Sequence, residues 1–308
     1  MTISTPRQRS WQKMIALALT TATFCAGTAF GQTPDSTKKD SAAVKKPAKD
    51  LPLEAGRKVK ITTNEGSWMA LDVSPDGKSM IFAALGDIFQ IPMTGGKATA
   101  LTTGMAYDSQ PRFSPDGKTI VFISDRDGND NVWTMDLATK KFKQISKGKV
   151  DYIEAAEWTP DGQYIVAAKG RRNLKLFMYH KDGGTGIQLI KTPETMKTVE
   201  PAFGKDGRYI WFSRRNGAWN YNAQLPQYQL ATFYRETGEI EGKSARYGSA
   251  FTPTLSPDGK YLVYGTRHNE HTGLRLQNLE TGDEKWLAYP VQRDEQESIA
   301  PLGVLPAM

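Results

Sequence analysis

Apolar residues in this chain fall in short runs of about six, each bounded by turn-forming residues. Thr119-Ile-Val-Phe-Ile-Ser124 is a clear example. It is β-branched and aromatic throughout, which suits a half-buried pleated strand. Ahead of it stands Gln110-Pro-Arg-Phe-Ser-Pro-Asp-Gly-Lys118, read as a strand and a tight turn. Pro115 presets φ near −65° at the first central position of that turn, Asp116 tolerates the second, and Gly117 takes the positive φ that reverses the chain. The same device recurs as Ser74-Pro-Asp-Gly77, Thr159-Pro-Asp-Gly162, Gly204-Lys-Asp-Gly207 and Ser256-Pro-Asp-Gly259, at steps of 40, 45, 45 and 52 residues. A period of roughly 40–50 residues with four strands per unit is that of a β-propeller blade.

The pattern predicts an all-β fold of five four-stranded blades plus the start of a sixth, read as an incomplete six- or seven-bladed ring. The blades are placed at about 64–105, 106–150, 151–195, 196–247 and 248–292, with a partial blade at 293–308. Arg57 to Thr63 reads as a lone strand ahead of the first blade, lying outside it or closing the ring. Large apolar residues just before the turns, Phe113, Trp158, Phe203 and Leu255, are expected to wedge between neighbouring blades. Blade four is lengthened by an insertion between its second and third strands. The tail, Ser298 to Met308, resembles an opening strand, and the chain reads as a fragment of a longer protein. An arc left open would expose sheet edges and apolar inter-blade surface and would self-associate.

Charge changes the picture only at the N-terminus. The net charge of +7 invites a nucleic-acid partner. Residues 1–31 hold Arg7, Arg9 and Lys13 and no acid, and residues 32–58 hold seven basic and four acidic residues. From Val59 onward 30 basic residues face 29 acidic ones, so the propeller is near neutral and an electrostatic nucleic-acid role is excluded. Residues 1–31 read as a cleaved export signal: a basic start, an apolar stretch from Met14 to Cys25, and Ala29-Phe-Gly31 before the cut. The apolar stretch is shorter than the ~20 residues of a membrane span, so no stable span is expected after cleavage. Cys25, the only cysteine, leaves with the signal, and neither disulfides nor thiol chemistry are expected. Residues 32–58, rich in lysine and carrying three prolines, read as a disordered linker. The location is then periplasmic or secreted.

Candidate chemistry was sought in each motif. His268-Asn-Glu-His271 lies in a hairpin loop, where a three-residue step does not bring two imidazoles onto one face. Asp125 to Asn131 alternates oxygen ligands but lacks the downstream bidentate Glu of a calcium loop, and is read as a hairpin turn. Gly183-Gly-Thr-Gly186 is followed by no helix to receive a phosphate. No Gly-x-Ser-x-Gly elbow occurs. No catalytic residue, metal or cofactor is assigned to this chain. The strongest recognition candidate is the blade-four loop, Arg214 to Gln224, with Trp219, Tyr221 and Asn222. It shares a rim with the blade-entry loops, which carry Asp108, Asp151, Glu154 and Glu200. An aromatic and acidic rim suits a peptide, a glycan or a partner domain.

The Ser-Pro-Asp-Gly turns, with Ser124-Asp-Arg-Asp-Gly-Asn129 and Trp133-Thr-Met-Asp136 between them, resemble the TolB-type (PD40) propeller repeat over residues 59–308. Further stretches resemble the propeller that precedes a metal-dependent amidohydrolase barrel in exported bacterial proteins. They are Thr63 to Gly77, Leu85-Gly-Asp-Ile-Phe89, Leu101 to Asp108, Tyr234 to Ile240 and Gln292 to Glu297. That resemblance implies a non-catalytic module that scaffolds or filters substrate for a missing C-terminal hydrolase domain. A free-standing envelope interaction module is the alternative, since TolB-type propellers dock a peptidoglycan-associated lipoprotein. Blade four departs from the pattern, with Gly204-Lys205 where Ser-Pro is usual.

Overall fold

The computed structural model describes residues 56–293, except 58, 67, 68, 150, 172, 216–226 and 270. The export signal, most of the linker, the tail from residue 294 and the loop residues Trp219, Tyr221 and Asn222 lie outside the described residues.

The described residues form five blades. Blade one is β1 (Leu71–Val73), β2 (Ser79–Ala84), β3 (Asp87–Pro92) and β4 (Thr99–Ala100). Blade two is β5 (Asp108–Phe113), β6 (Thr119–Ser124), β7 (Asn131–Asp136) and β8 (Phe142–Gln144). Blade three is β9 (Tyr152–Trp158), β10 (Tyr164–Gly170), β11 (Lys175–His180) and β12 (Ile187–Gln188). Blade four is β13 (Lys197–Phe203), β14 (Tyr209–Arg215), β15 (Gln229–Tyr234) and β16 (Ile240–Gly242). Blade five is β17 (Phe251–Leu255), β18 (Tyr261–His268), β19 (His271–Asn278) and β20 (Glu284–Arg293). Each is an antiparallel meander in chain order, and the described residues contain no helix. The lone strand expected at 57–63 does not form. Among the described residues β1 pairs only with β2, and Val59 and Ile61 stand mostly in solvent.

The recurrent turn is held by its own side chains. In blade two, Ser114 Oγ donates to Asp116 Oδ1 at 2.6 Å, and the amides of Lys118 and Thr119 donate to Asp116 Oδ1 and Ser114 Oγ at 3.1 and 3.0 Å. Gly117 lies at φ 68°. The arrangement repeats at Ser74, Thr159 and Ser256. The serine hydroxyl and the following lysine amide hold the carboxyls of Asp76, Asp116 and Asp258 below the usual range. Blade four has no hydroxyl at Gly204. There Asp206 is held instead by the amide of Arg208 at 3.1 Å and by its guanidinium at 2.6 Å.

Neighbouring blades pack front to back. Ile81 and Ile88 of blade one meet Phe113, Ile120, Phe122 and Met135 of blade two. Val121, Ile123 and Val132 of blade two meet Trp158, Ile165 and Tyr179 of blade three. Val166, Ala168 and Leu176 then face Ile210, Phe212 and Phe233. Trp211 and Leu230 face Leu255, Leu262 and Tyr264. Phe113, Trp158, Phe203 and Leu255 are thus the wedges that their positions predicted. Burying one such side chain fully is worth about 1.5–3 kcal/mol.

The inner strands carry a second device. β5, β9, β13 and β17 each contain a bulge, at Gln110, Ala155, Glu200 and Thr252, with φ between 46° and 56°. A bulge leaves one amide out of the ladder. In blades three and five the preceding blade supplies its acceptor. Gln110 Oε1 receives the Ala155 amide, and Glu200 Oε2 receives the Thr252 amide at 2.7 Å.

A polar ladder joins the first three inner strands. Asp72, Arg112 and Glu157 each stand two residues before the turn hydroxyl. Asp72 Oδ2 accepts the Phe113 amide at 2.7 Å, and Arg112 donates to the Leu71 carbonyl at 2.8 Å. Arg112 Nε lies 3.3 Å from Glu157 Oε2. Burial pushes the Glu157 carboxyl up to about 7, with Arg112 opposing and Asp72 reinforcing the rise.

Two predictions follow from this packing. Restoring the hydroxyl in blade four by Gly204→Ser should raise stability by about 0.5–1 kcal/mol, one net hydrogen bond, read as a melting temperature higher by a few degrees. An unchanged or lower melting temperature counts against the turn account. The second concerns pH. The folded protein keeps a proton on Glu157 that the unfolded chain releases near pH 4.5, so stability is present below that value and falls as pH rises towards 7. With 26% of the side chain exposed, about 1–2 kcal/mol is expected to be lost across that window. Glu157→Gln should flatten the loss in denaturant titrations at pH 5 and pH 8.

Candidate functional site

A four-stranded meander places the start of every inner strand and the hairpin between its second and third strands on one rim, and the Asp-Gly turns on the other. The entry rim collects the candidate residues, and each has a definite environment. Asp108, the first residue of β5, is 2% exposed. Its two carboxylate oxygens accept from Arg126 at 2.8 and 2.9 Å. Arg126 in turn lies 3.8 Å over the Phe142 ring. This pair faces into blade two rather than outward. Asp151 stands 3.3 Å from Lys169. Asp125 accepts the Tyr107 amide at 2.7 Å and so fixes the entry to β5. The Asp125 to Asn131 segment is a hairpin turn closed by Asn131 Nδ2 on Asp127 at 3.1 Å.

Glu154 and Glu200 are brought together at the mouth of blades three and four. Burial raises both carboxyls. For Glu154, Lys197 opposes the rise and Glu200 adds to it. For Glu200, hydrogen bonds from Ser213 and Thr252 oppose it. Thr252 Oγ1 donates to Glu200 Oε1 at 2.9 Å, so this carboxylate ties blade four to blade five. Burial lowers Lys197, with Glu154 opposing and Arg215 reinforcing. Tyr228 is pushed up to about 12, first by burial, within the fields of Arg215, Glu200, Glu154 and Arg267. Arg215 lies 5.7 Å over Tyr228, and Arg267 lies 5.4 Å over Phe251. The mouth therefore interleaves two acids, Glu154 and Glu200, with three bases, Lys197, Arg215 and Arg267.

The entry rim carries large side chains in solvent. Tyr107 and Tyr152 are each 63% exposed and Tyr247 is 95% exposed, with Leu85 and Met105 beside them in the entry loops and hairpins. Tyrosine and methionine are enriched at protein interfaces because they offer large contact area at low entropic cost. Sequence reading missed these tyrosines, although a signal was present. Tyr107 and Tyr152 each stand seven residues ahead of their turn hydroxyl, the place taken by Lys197 in blade four.

His268 and His271 face each other across the β18–β19 hairpin. Their rings pack on Tyr289 at 5.8 and 6.1 Å. Glu270 lies outside the described residues. Among the described residues no group of three His, Cys, Asp or Glu is placed to hold a metal ion. No helix among them is long and apolar enough to cross a membrane. The rim offers surface for binding.

Comparison with known proteins gives the same architecture. The structure of TolB from Acinetobacter baumannii superposes with a TM-score of 0.61 at 21% identity, over 73% of this chain and 56% of that one. A putative TolB from Agrobacterium tumefaciens gives 0.59 at 19% identity, over 71% of this chain and 79% of that one. A puromycin-hydrolyzing peptidase of Mycobacterium tuberculosis gives 0.55 at 16% identity, over 72% of this chain but only 36% of that one. The chain thus spans little more than half of the Acinetobacter protein. No curated protein matches its sequence. The family model described as the TolB beta propeller domain matches residues 49–221, more than half of the chain. With five meander blades built on the repeated Asp-Gly turn, the chain belongs to the TolB beta propeller domain family.

Proposed function

We propose that this chain is a non-catalytic binding propeller of the cell envelope, exported by its N-terminal signal and tethered by the linker at 32–58. In this reading it is the N-terminal part of a larger metal-dependent amidohydrolase, and its entry rim scaffolds the catalytic domain or screens what reaches it. The observation that carries the binding role is the exposure of Tyr107, Tyr152 and Tyr247 at the entries to blades two, three and five. Trp219, Tyr221 and Asn222 of the blade-four loop belong to the same rim in this reading. The hydrolase context is supported by the sequence stretches that resemble amidohydrolase-linked propellers. The Mycobacterium tuberculosis peptidase is a precedent for such a propeller occupying about a third of a hydrolase chain. A sixth blade would follow residue 293.

A second reading is an envelope interaction module acting without a fused enzyme. It is favoured by the similarity to two TolB structures. The reading frame through the codon for Met308 separates the two. Another Asp-Gly turn, further strands and a His-x-His pair support the hydrolase context; a stop codon there overturns it and leaves the second reading.

The rim is tested by the double variant Tyr152→Ala, Tyr247→Ala. It should keep the melting temperature of the parent, because both side chains are exposed. It should weaken binding to the encoded hydrolase domain at least tenfold in calorimetric titration, since aromatic anchors at interfaces cost about 2 kcal/mol or more when truncated. Undiminished affinity would remove the rim from the recognition account.

A further inference from the structure

The closing residues of the β18–β19 hairpin are both histidines, and the hairpin does what their spacing in sequence could not. His268 pairs directly with His271. Directly opposed residues of an antiparallel pair project to the same face, with Cβ atoms about 4.5–5.5 Å apart. Both rings meet the Tyr289 ring on that face, at 5.8 and 6.1 Å. Asn269, at φ 44°, turns the chain between them. His268 is exposed and His271 half-buried, so the pair is open to solvent.

The hairpin tip also fixes how the pair is presented. Nδ1 of His271 lies 2.9 Å from the Asn269 carbonyl oxygen. A carbonyl only accepts, so Nδ1 carries the proton and Nε2 keeps its lone pair. Metal-bound imidazoles are oriented in the same way, by donating the second ring nitrogen to a carbonyl or carboxylate. The His268 carbonyl accepts from the Tyr289 hydroxyl at 2.7 Å, and its ring lies 5.9 Å from Trp286. The Trp286 and Tyr289 rings stand 4.5 Å apart over Gly273, where a Cβ would come within 2.8 Å of Trp286 and 2.7 Å of Tyr289. The glycine therefore seats an aromatic floor against which both imidazoles pack. His180 differs, since its Nδ1 accepts the Asp182 amide at 3.2 Å and lies 3.5 Å from that carboxylate.

We propose that His268 and His271 together chelate a divalent late transition-metal ion, with Cu²⁺ held more tightly than Ni²⁺ or Zn²⁺. Imidazole suits all three, and copper heads the usual order of affinity. His271 binds through Nε2, the nitrogen that its contact with Asn269 leaves unprotonated. Structural zinc sites close with four protein donors. Here two donors leave the other positions to water, so the ion is exchangeable. Ca²⁺ and Mg²⁺ take oxygen ligands and are not held by such a pair. A bound ion also clips β18 to β19 at the hairpin tip on the entry rim.

The test is calorimetric titration of the full chain with the chlorides of Cu²⁺, Ni²⁺ and Zn²⁺, in a Cys25→Ser background that removes the one thiol. One copper per chain is expected, bound more tightly than nickel or zinc. His268→Gln and His271→Gln should each lower copper affinity at least tenfold, and His180→Gln should leave it unchanged. Circular dichroism checks that each variant folds. Electron paramagnetic resonance of the parent's copper complex needs no variant at the site, and should show two imidazole nitrogens on the metal. A loss confined to one of the two histidine variants, or an equal loss in His180→Gln, overturns the proposal. So does a copper spectrum with fewer than two imidazole nitrogens.

Discussion

No blade of this propeller can bury both faces by itself. A four-stranded meander has two apolar surfaces and no helix to cover either, so each blade depends on the next for its front and on the previous one for its back. That dependence organises every other feature. It sets the order of apolar residues along each second strand: in β6, Ile120 and Phe122 serve the interface with blade one and Val121 between them serves the interface with blade three. It explains why Phe113 and Trp158 sit beside the turn, where the inner strands converge and a large side chain fills the gap.

Front-to-back packing alone would let blades slide, and the polar contacts between inner strands oppose that. Each bulge turns an amide out of its own ladder, at the cost of a left-handed residue worth about 1–3 kcal/mol. The unpaired amide then becomes a specific docking point. Gln110 reads the amide of Ala155, and Glu200 reads that of Thr252. Blade three has only Ala155 at that position and cannot reach forward. The ladder of Asp72, Arg112 and Glu157 works on the same strands with charges instead. A buried carboxylate beside one arginine and one more acid is imperfectly compensated, which is why Glu157 holds its proton so readily.

The candidate rim follows from the same construction. Because every blade enters from one side, residues at one repeat position gather on one rim although about 45 residues separate them in sequence. The acids there divide by depth. Asp108 is consumed by Arg126 inside blade two, and Glu200 by its neighbours in blades four and five. Glu154 shares the mouth with Lys197 and Arg215. The large side chains left in solvent there include Tyr107, Tyr152 and Tyr247.

Turn chemistry made much of this legible before any coordinates. Ser-Pro-Asp-Gly dictates a local conformation through its own hydroxyl, carboxylate and glycine, so its five near-copies announced the blades, their lengths and the wedge residues. The lone strand read at 57–63 shows the limit of that reading, because local pattern cannot supply a partner edge. By itself the sequence determined whatever is local: strand, turn, repeat and the near-neutral charge of the propeller. Tertiary structure decided which acids face water and which face arginine, and which bulge amides find a neighbour's side chain. Those outcomes depend on residues tens of positions apart meeting across an interface, and only the packing of one blade on another brings them together.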